Sequence, residues 1–254
     1  MKRKSRFILL IFGLLVFGQT NRAQQLPPIF ADTPKQIVAA RTIAEFPVNT
    51  FLENVAVDKK GVLFVNSYED GKVYRVTTAG AKSEFAQIPG KVAGIAFDKS
   101  GSLIISGVTN EKKAAVFRVD KRGKVETLAT IDDAIFLNGV TFLGGDKFLI
   151  ADSYKGAIWE FDAKTKKSSV WLADEFLARS NVNNPTPAVN GLKIYKNNLY
   201  ATNTQNQKIF RIPILAGGKA GKPELFVEKI NGDDFAFDEA GNLFVTTHLY
   251  NYVV

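Results

Sequence analysis

The chain has no cysteine, one histidine and one methionine in 254 residues. Without cysteine there can be no disulfide, no zinc–thiolate site, no thiol nucleophile and no lipidation box behind the N-terminal segment. No G-x-S-x-G occurs, and no serine sits in a motif that would couple it to His248, the lone histidine, so a serine hydrolase is not expected. A glycine-rich phosphate loop is also missing. The formal charge of +8 is mostly N-terminal: Lys2, Arg3, Lys4, Arg6 and Arg22 supply five of the eight, leaving about +3. The remaining lysines are spread over turns, which argues against a nucleic-acid-binding face.

What is present begins with a targeting pattern. A basic start (MKRKSR) precedes an apolar run from Phe7 to Gly18, a polar patch, and the small residue Ala23 before the expected cut. Residues 1–23 read as a signal peptide, and the apolar run is shorter than a bilayer span. The mature chain is therefore expected to be secreted or periplasmic, free of the membrane, and held by core packing, which its 46% hydrophobic content and length permit. Residues 24–36 read as a proline-containing lead-in, and Ile37–Phe46 alternates like a strand.

From there a unit repeats. Its clearest copy, NGLKIYKNNLYATNTQNQKIFRIP from Asn190 to Pro213, holds three alternating runs separated by polar turns. Related copies start near Glu53, Ala93, Asn138 and Asp233. That spacing is the range of propeller blades, and Ser83–Gln87, Lys124–Ala129, Ser168–Leu172 and Pro223–Val227 can each add a fourth, outer strand. The expected fold is an all-β propeller of four-stranded blades over residues 37–254. Five repeats are visible, with a sixth missing or incomplete as if the chain were truncated. Phe64, Tyr74, Phe97, Phe117, Trp159 and Phe210 fall on alternating strand positions and read as core. Phe176–Pro187 is too long for a turn and reads as a lid or substrate loop.

The first residue of each repeat carries the chemistry. In a propeller, equal positions on successive inner strands ring one end of the channel, and here that position gives Glu53, Ala93, Asn138, Asn190 and Asp233. Two carboxylates and two amide carbonyls are hard oxygen donors suited to Ca²⁺, with Mg²⁺ or Mn²⁺ as other candidates. Asp234 is one step out of register and should point away. Asp58, Asp98 and Asp238 sit in Asp-x-x-Gly turns and read as turn caps. Asn-Gly is also a common turn dipeptide, so Asn138 and Asn190 have a turn-forming reading beside the ring one.

The stretches NGL-K-I with Y-A-T-N-T, and D-D-F-A-F-D-E-A-G-N-L-F-V, resemble the senescence marker protein (regucalcin) and gluconolactonase family of six-bladed propellers. The resemblance runs from about Ile37 onward. It implies a divalent ion, commonly Ca²⁺, held by Glu53, Asn190 and Asp233, with Asn138 near metal and substrate. It further implies metal-dependent opening of a lactone or ester, with Asp233 as the general base. His248 is a weaker candidate for moving a proton. Lactonases of the family carry an arginine two residues before the asparagine matching Asn138. Phe136 stands there in this chain, which implies a more apolar substrate. The competing readings are a non-catalytic propeller that binds a partner and keeps the ion for structure, and an inactive truncated remnant. Oligomeric state is not legible.

Overall fold

The computed structural model describes residues 41–249 and 252–254. The signal peptide over 1–23, the lead-in over 24–36 and the first four residues of the expected Ile37–Phe46 strand lie outside them. Among the described residues, no helix is long and apolar enough to cross a membrane.

The alternating runs form antiparallel meanders. Strands β1 (Leu52–Val57), β2 (Leu63–Ser67), β3 (Lys72–Val76) and β4 (Lys82–Gln87) make blade 1. Blade 2 is β5 (Gly90–Phe97), β6 (Leu103–Thr109), β7 (Ala114–Val119) and β8 (Val125–Thr130). Blade 3 is β9 (Leu137–Gly144), β10 (Lys147–Asp152), β11 (Ala157–Asp162) and β12 (Lys167–Ala173). Blade 4 is β13 (Val189–Tyr195), β14 (Asn198–Asn203), β15 (Lys208–Pro213) and β16 (Glu224–Glu228). The fifth repeat contributes a two-stranded hairpin, β17 (Gly232–Phe237) and β18 (Leu243–Thr247), along which Tyr252–Val254 returns antiparallel. Among the described residues four blades are thus complete, and the fifth expected repeat is present as its first two strands.

After each outer strand the chain returns to the centre, so the inner strands β1, β5, β9, β13 and β17 lie side by side in order. That is propeller geometry. The hairpin turns are set by Asx caps. Asp58 Oδ1 accepts from Lys60 N and Val62 N at 2.8 and 2.9 Å, and Asp98 Oδ1 does the same for Ser100 and Ser102. Gly61 and Gly101 then take φ of 79° and 84°, the left-handed region open to glycine.

Apolar clusters fill the space between consecutive blades, as where Phe64 and Val73 of blade 1 meet Ile105 and Phe117 of blade 2. Leu192 is fully buried in this way, which stabilises by about 2 kcal/mol. The two end faces lack this cover. Val55 is 50% exposed, whereas its register mates Ile95, Val140, Leu192 and Phe235 are at most 5% exposed. On the opposite end face Phe244 is 48% exposed. Residues 41–46 form no strand. They run along the outside of blade 1, with the Phe46 ring 5.0 Å from that of Tyr74 and the Lys82 ammonium 4.8 Å from the Phe46 ring.

Candidate functional site at the channel mouth

Every inner strand breaks its ladder at the same place. Two residues oppose one at Glu53-Asn54 against Asn66, Ala93-Gly94 against Ser106 and Asn138-Gly139 against Ala151. The pattern recurs at Asn190-Gly191 against Thr202 and Asp233-Asp234 against Thr246. These are β-bulges, which bend a strand and re-aim a side chain. The bulged residue is the ring residue in each case. Asn138-Gly139 and Asn190-Gly191 therefore lie within strands, and the turn-forming reading of these dipeptides does not apply. Glycine follows asparagine because the next blade passes close by: a Cβ on Gly191 would lie 2.7 Å from the Asp233 carbonyl oxygen.

In blades 1, 2 and 4 the residue of the second strand that faces the bulge locks the ring residue of the next blade. Asn66 Nδ2 donates to the Ala93 carbonyl at 2.6 Å, and Thr202 Oγ1 donates to the Asp233 carbonyl at 2.9 Å. Ser106 likewise donates to the Asn138 carbonyl. Polar side chains thus hold the ring backbone at Ala93, Asn138 and Asp233 against the preceding blade.

Two positions further along the second strands lies another row: Tyr68, Val108, Ser153, Thr204 and His248. Thr204 Oγ1 donates to the Gly232 carbonyl at 2.7 Å, so it can only accept from Asn190 Nδ2, 3.1 Å away. Ser153 Oγ donates to the Val189 carbonyl at 2.6 Å and accepts from Asn138 Nδ2 at 3.2 Å. With both amide nitrogens committed in this way, each Oδ1 is left free for another donor or a cation. Asn190 Nδ2 also reaches Asp233 Oδ1. Asn138 and Asn190 are almost wholly buried.

The acidic end is strongly coupled. His248 Nδ1 lies 3.5 Å from Asp233 Oδ1. That contact raises the His248 pKa above 6.5, against the opposing effect of burial. Burial, with the negative charges of Asp233 and Asp234 nearby and only His248 opposing, pushes the Glu53 carboxyl from 4.5 to about 7. Asp234 points away from this group and is held by Lys193, whose Nζ is 2.6 Å from both carboxylate oxygens.

Glu53, Asn138, Asn190, Asp233 and His248 are therefore gathered at one end of the channel, with Ala93 the non-polar member of the ring. Among the described residues no three Asp, Glu or His side chains converge as a metal-binding group. The oxygen set is two carboxylates plus two oriented amides. Phe136 adjoins the ring, its backbone N–H held by Asp152 Oδ1 at 3.0 Å. The Phe176–Pro187 segment is tied down rather than free to swing. Leu177 is buried, and Gln205 takes the Asn181 N–H at 2.8 Å and donates to the Asn181, Asn184 and Thr186 carbonyls.

The reading of the repeats by their first residues alone overlooked the second strands. Their signal is visible once Asn66-Ser67-Tyr68, Ala151-Asp152-Ser153, Thr202-Asn203-Thr204 and Thr246-Thr247-His248 are aligned. It also overlooked Asp152, a fully buried carboxylate that accepts from Ile135, Phe136 and Lys155 N–H groups and from Trp159 Nε1.

No family model matches the chain, and no curated protein matches it. Solved structures do. A calcium-binding protein, regucalcin, from Agrobacterium tumefaciens is 18% identical with a TM-score of 0.65, covering 85% of this chain and 73% of its own. Virginiamycin B lyase from Staphylococcus aureus, in a catalytically inactive His-to-Ala form with quinupristin, is 14% identical with a TM-score of 0.57, covering 83% and 71%. An auxiliary nutrient binding protein from Bacteroides ovatus is 10% identical with a TM-score of 0.63, covering 80% and 54%. At these identities the likeness shows the fold, a β-propeller.

Proposed function

We propose that this chain is an exported propeller enzyme of the six-bladed, gluconolactonase-like type that opens a lactone or related ester with the help of a divalent cation, Ca²⁺ first. The observation that carries the reading is the oriented oxygen set. Thr204 and Ser153 turn the amides of Asn190 and Asn138 so that their oxygens are left for a cation, beside the carboxylates of Glu53 and Asp233. Hard oxygen ligands of mixed charge fit Ca²⁺. Bound there, such an ion would polarise a carbonyl and stabilise the charge that develops on its oxygen. The uncovered faces of β1 and β18 support a ring with room for a further blade.

The chain's own proton chemistry lies in Asp233 and His248. Asp233 is the general base of this reading, and His248, whose pKa the Asp233 contact raises, lies against it and can return a proton to the leaving oxygen. The small-molecule substrate carries no negative charge of its own, because the Glu53 and Asp233 carboxylates line the mouth.

The test is turnover of a lactone and aryl-ester panel by the purified protein with Ca²⁺ and with chelator. Asp233→Asn should abolish Ca²⁺-dependent turnover. Absence of turnover with every divalent ion, together with unchanged ligand binding in Asp233→Asn, would instead favour a binding platform. The His248–Asp233 pair favours a second reading, a lyase in which His248 removes a carbon-bound proton. Reaction in ¹⁸O-water separates the two: hydrolysis places the label in the product acid, elimination does not.

A further inference from the structure

We propose that blade 2's side of the mouth is a fixed aromatic ledge, built from Phe51, Tyr68, Phe136 and Tyr154, that binds an uncharged aromatic ring of the ligand. The inference deepens the proposed function, on which it rests only for the chemistry that follows binding.

Blade 2 contributes no large side chain at the ring position, which leaves a gap there, while Lys91, at the register of Phe51 and Phe136, lies over the Tyr68 ring and pairs with Glu69. Its ring residue is Ala93, and Gly107 and Val108 end the matching stretch of β6. Aromatic rings from the blades on either side meet across this gap. Phe51 and Tyr68, flanking β1 and β2, have centroids 5.6 Å apart. Tyr68 reaches Phe136 of blade 3 at 6.4 Å in an edge-to-face contact, and Phe136 meets Tyr154 at 5.0 Å. The ledge borders the oxygen ring directly. Phe136 is two residues before Asn138, Phe51 is two residues before Glu53, and Tyr68 lies in, and Tyr154 adjoins, the second-strand row that carries Ser153.

These rings are held but not covered. The Asp152 carboxylate takes the N–H groups of Ile135 and Phe136 at 2.9 and 3.0 Å. Tyr154 donates its hydroxyl proton to the Pro185 carbonyl at 2.9 Å, and the Arg179 guanidinium lies 4.4 Å from its ring centroid. The Lys91 ammonium is 5.4 Å from the Tyr68 ring. Yet Phe51 is 52% exposed and Tyr68, Phe136 and Tyr154 are half-buried, whereas the inter-blade rings of Phe117, Phe148 and Phe161 are fully buried. Rigid, tilted, part-exposed rings present both faces and edges to a flat partner. An anionic ligand is disfavoured because the Glu53 and Asp233 carboxylates stand beside the ledge. A hydroxyl-rich sugar lactone would leave its hydroxyls unpaired against these rings.

The experiment measures binding separately from turnover. Saturation-transfer NMR and calorimetry on the purified full chain, with and without Ca²⁺, compare dihydrocoumarin, an aromatic lactone, with gluconolactone. Dihydrocoumarin should bind more tightly, with saturation reaching its aromatic protons. Phe136→Ala should weaken it by about 3- to 10-fold, the size of one lost ring contact. Phe51→Ala, at an exposed position outside the oxygen ring, should weaken it in the same direction and serves if Phe136→Ala does not fold. Phe136→Arg should shift preference toward gluconolactone. Dihydrocoumarin binding that depends on these rings but leads to no turnover upholds the ledge and removes the hydrolase reading. Turnover of gluconolactone with no dihydrocoumarin binding, or binding unchanged in both alanine variants, overturns the ledge and leaves the hydrolase reading standing.

Discussion

Glu53→Gln should make the metal-free protein more stable at alkaline pH. In the native fold the Glu53 carboxyl titrates at about 7 instead of 4.5, because burial and the neighbouring Asp233 and Asp234 charges penalise its ionised form. A folded-state pKa above the unfolded one means that the native state binds this proton more tightly. The stabilisation is complete below pH 4.5 and is lost as pH rises through 7. At about 1.4 kcal/mol per pH unit, the loss amounts to roughly 3 kcal/mol by pH 8.5. Glutamine keeps the size and cannot ionise, so in chelator the variant should match the parent near pH 5. At pH 8.5 it should exceed the parent by up to about 3 kcal/mol, or roughly 6 to 12 °C in melting temperature for a chain of this size. Urea titrations at the two pH values give the answer directly. His248 contributes a slope of the same sign. Its raised pKa makes the Asp233 contact fully stabilising below 6.5 and weaker as pH rises through the raised value, so a residual slope should survive in Glu53→Gln. A variant less stable than the parent by the same amount at both pH values would show that Glu53 is not held in its protonated form by burial, and the reasoning would fall. In the parent at pH 8.5, saturating Ca²⁺ should recover stability by about 2.7 kcal/mol at a hundred times its dissociation constant; Glu53→Gln should recover less.

Thr204→Val keeps the shape but removes the hydroxyl that orients Asn190, leaving the Gly232 carbonyl and Asn190 Nδ2 short of a partner. It should cost about 1–3 kcal/mol and weaken the Ca²⁺ shift in melting temperature, with Thr204→Ser restoring both. Gly191→Ala forces a Cβ into the Asp233 backbone and should cost more than about 2 kcal/mol by denaturant titration, with exposed Ala240→Gly as a mild control. Asp152→Ala strips four N–H groups of their acceptor and should cost about 3 kcal/mol or more. Its smaller cousin Asp152→Asn should fold, yet show faster amide exchange at Ile135 and Phe136.

Strand identity and blade period were legible because both are local. Two-residue alternation fixes which side chains leave the sheet on one face, and Asp-x-x-Gly fixes the turns, so the outer strands at Lys82–Gln87, Val125–Thr130, Lys167–Ala173 and Glu224–Glu228 lie within a residue of where the pattern puts them. Equal register then predicted that Glu53, Asn138, Asn190 and Asp233 would share one end of the channel. Local pattern misled where a segment had no partner of its own: Arg41–Phe46 alternates like a strand but packs on blade 1 without pairing.

Contacts between different blades and different strands decided the rest. Asn-Gly looks like a turn in one dimension and becomes a bulge only when the next blade presses its backbone against the glycine. His248 stands alone in the sequence and acquires a role because β18 carries it to Asp233, fifteen residues earlier on β17. Tyr68 and Phe136 are separated in the sequence by the whole of blade 2, and their rings meet only once blades 1 and 3 are brought to the same end of the channel. The sequence by itself determined the strands, their period and the oxygen-bearing register, since each follows from near-neighbour geometry. Which amides face a cation, which carboxyl stays protonated and which rings border the mouth were decided by tertiary structure, because burial and hydrogen-bond partners exist only after the blades have packed.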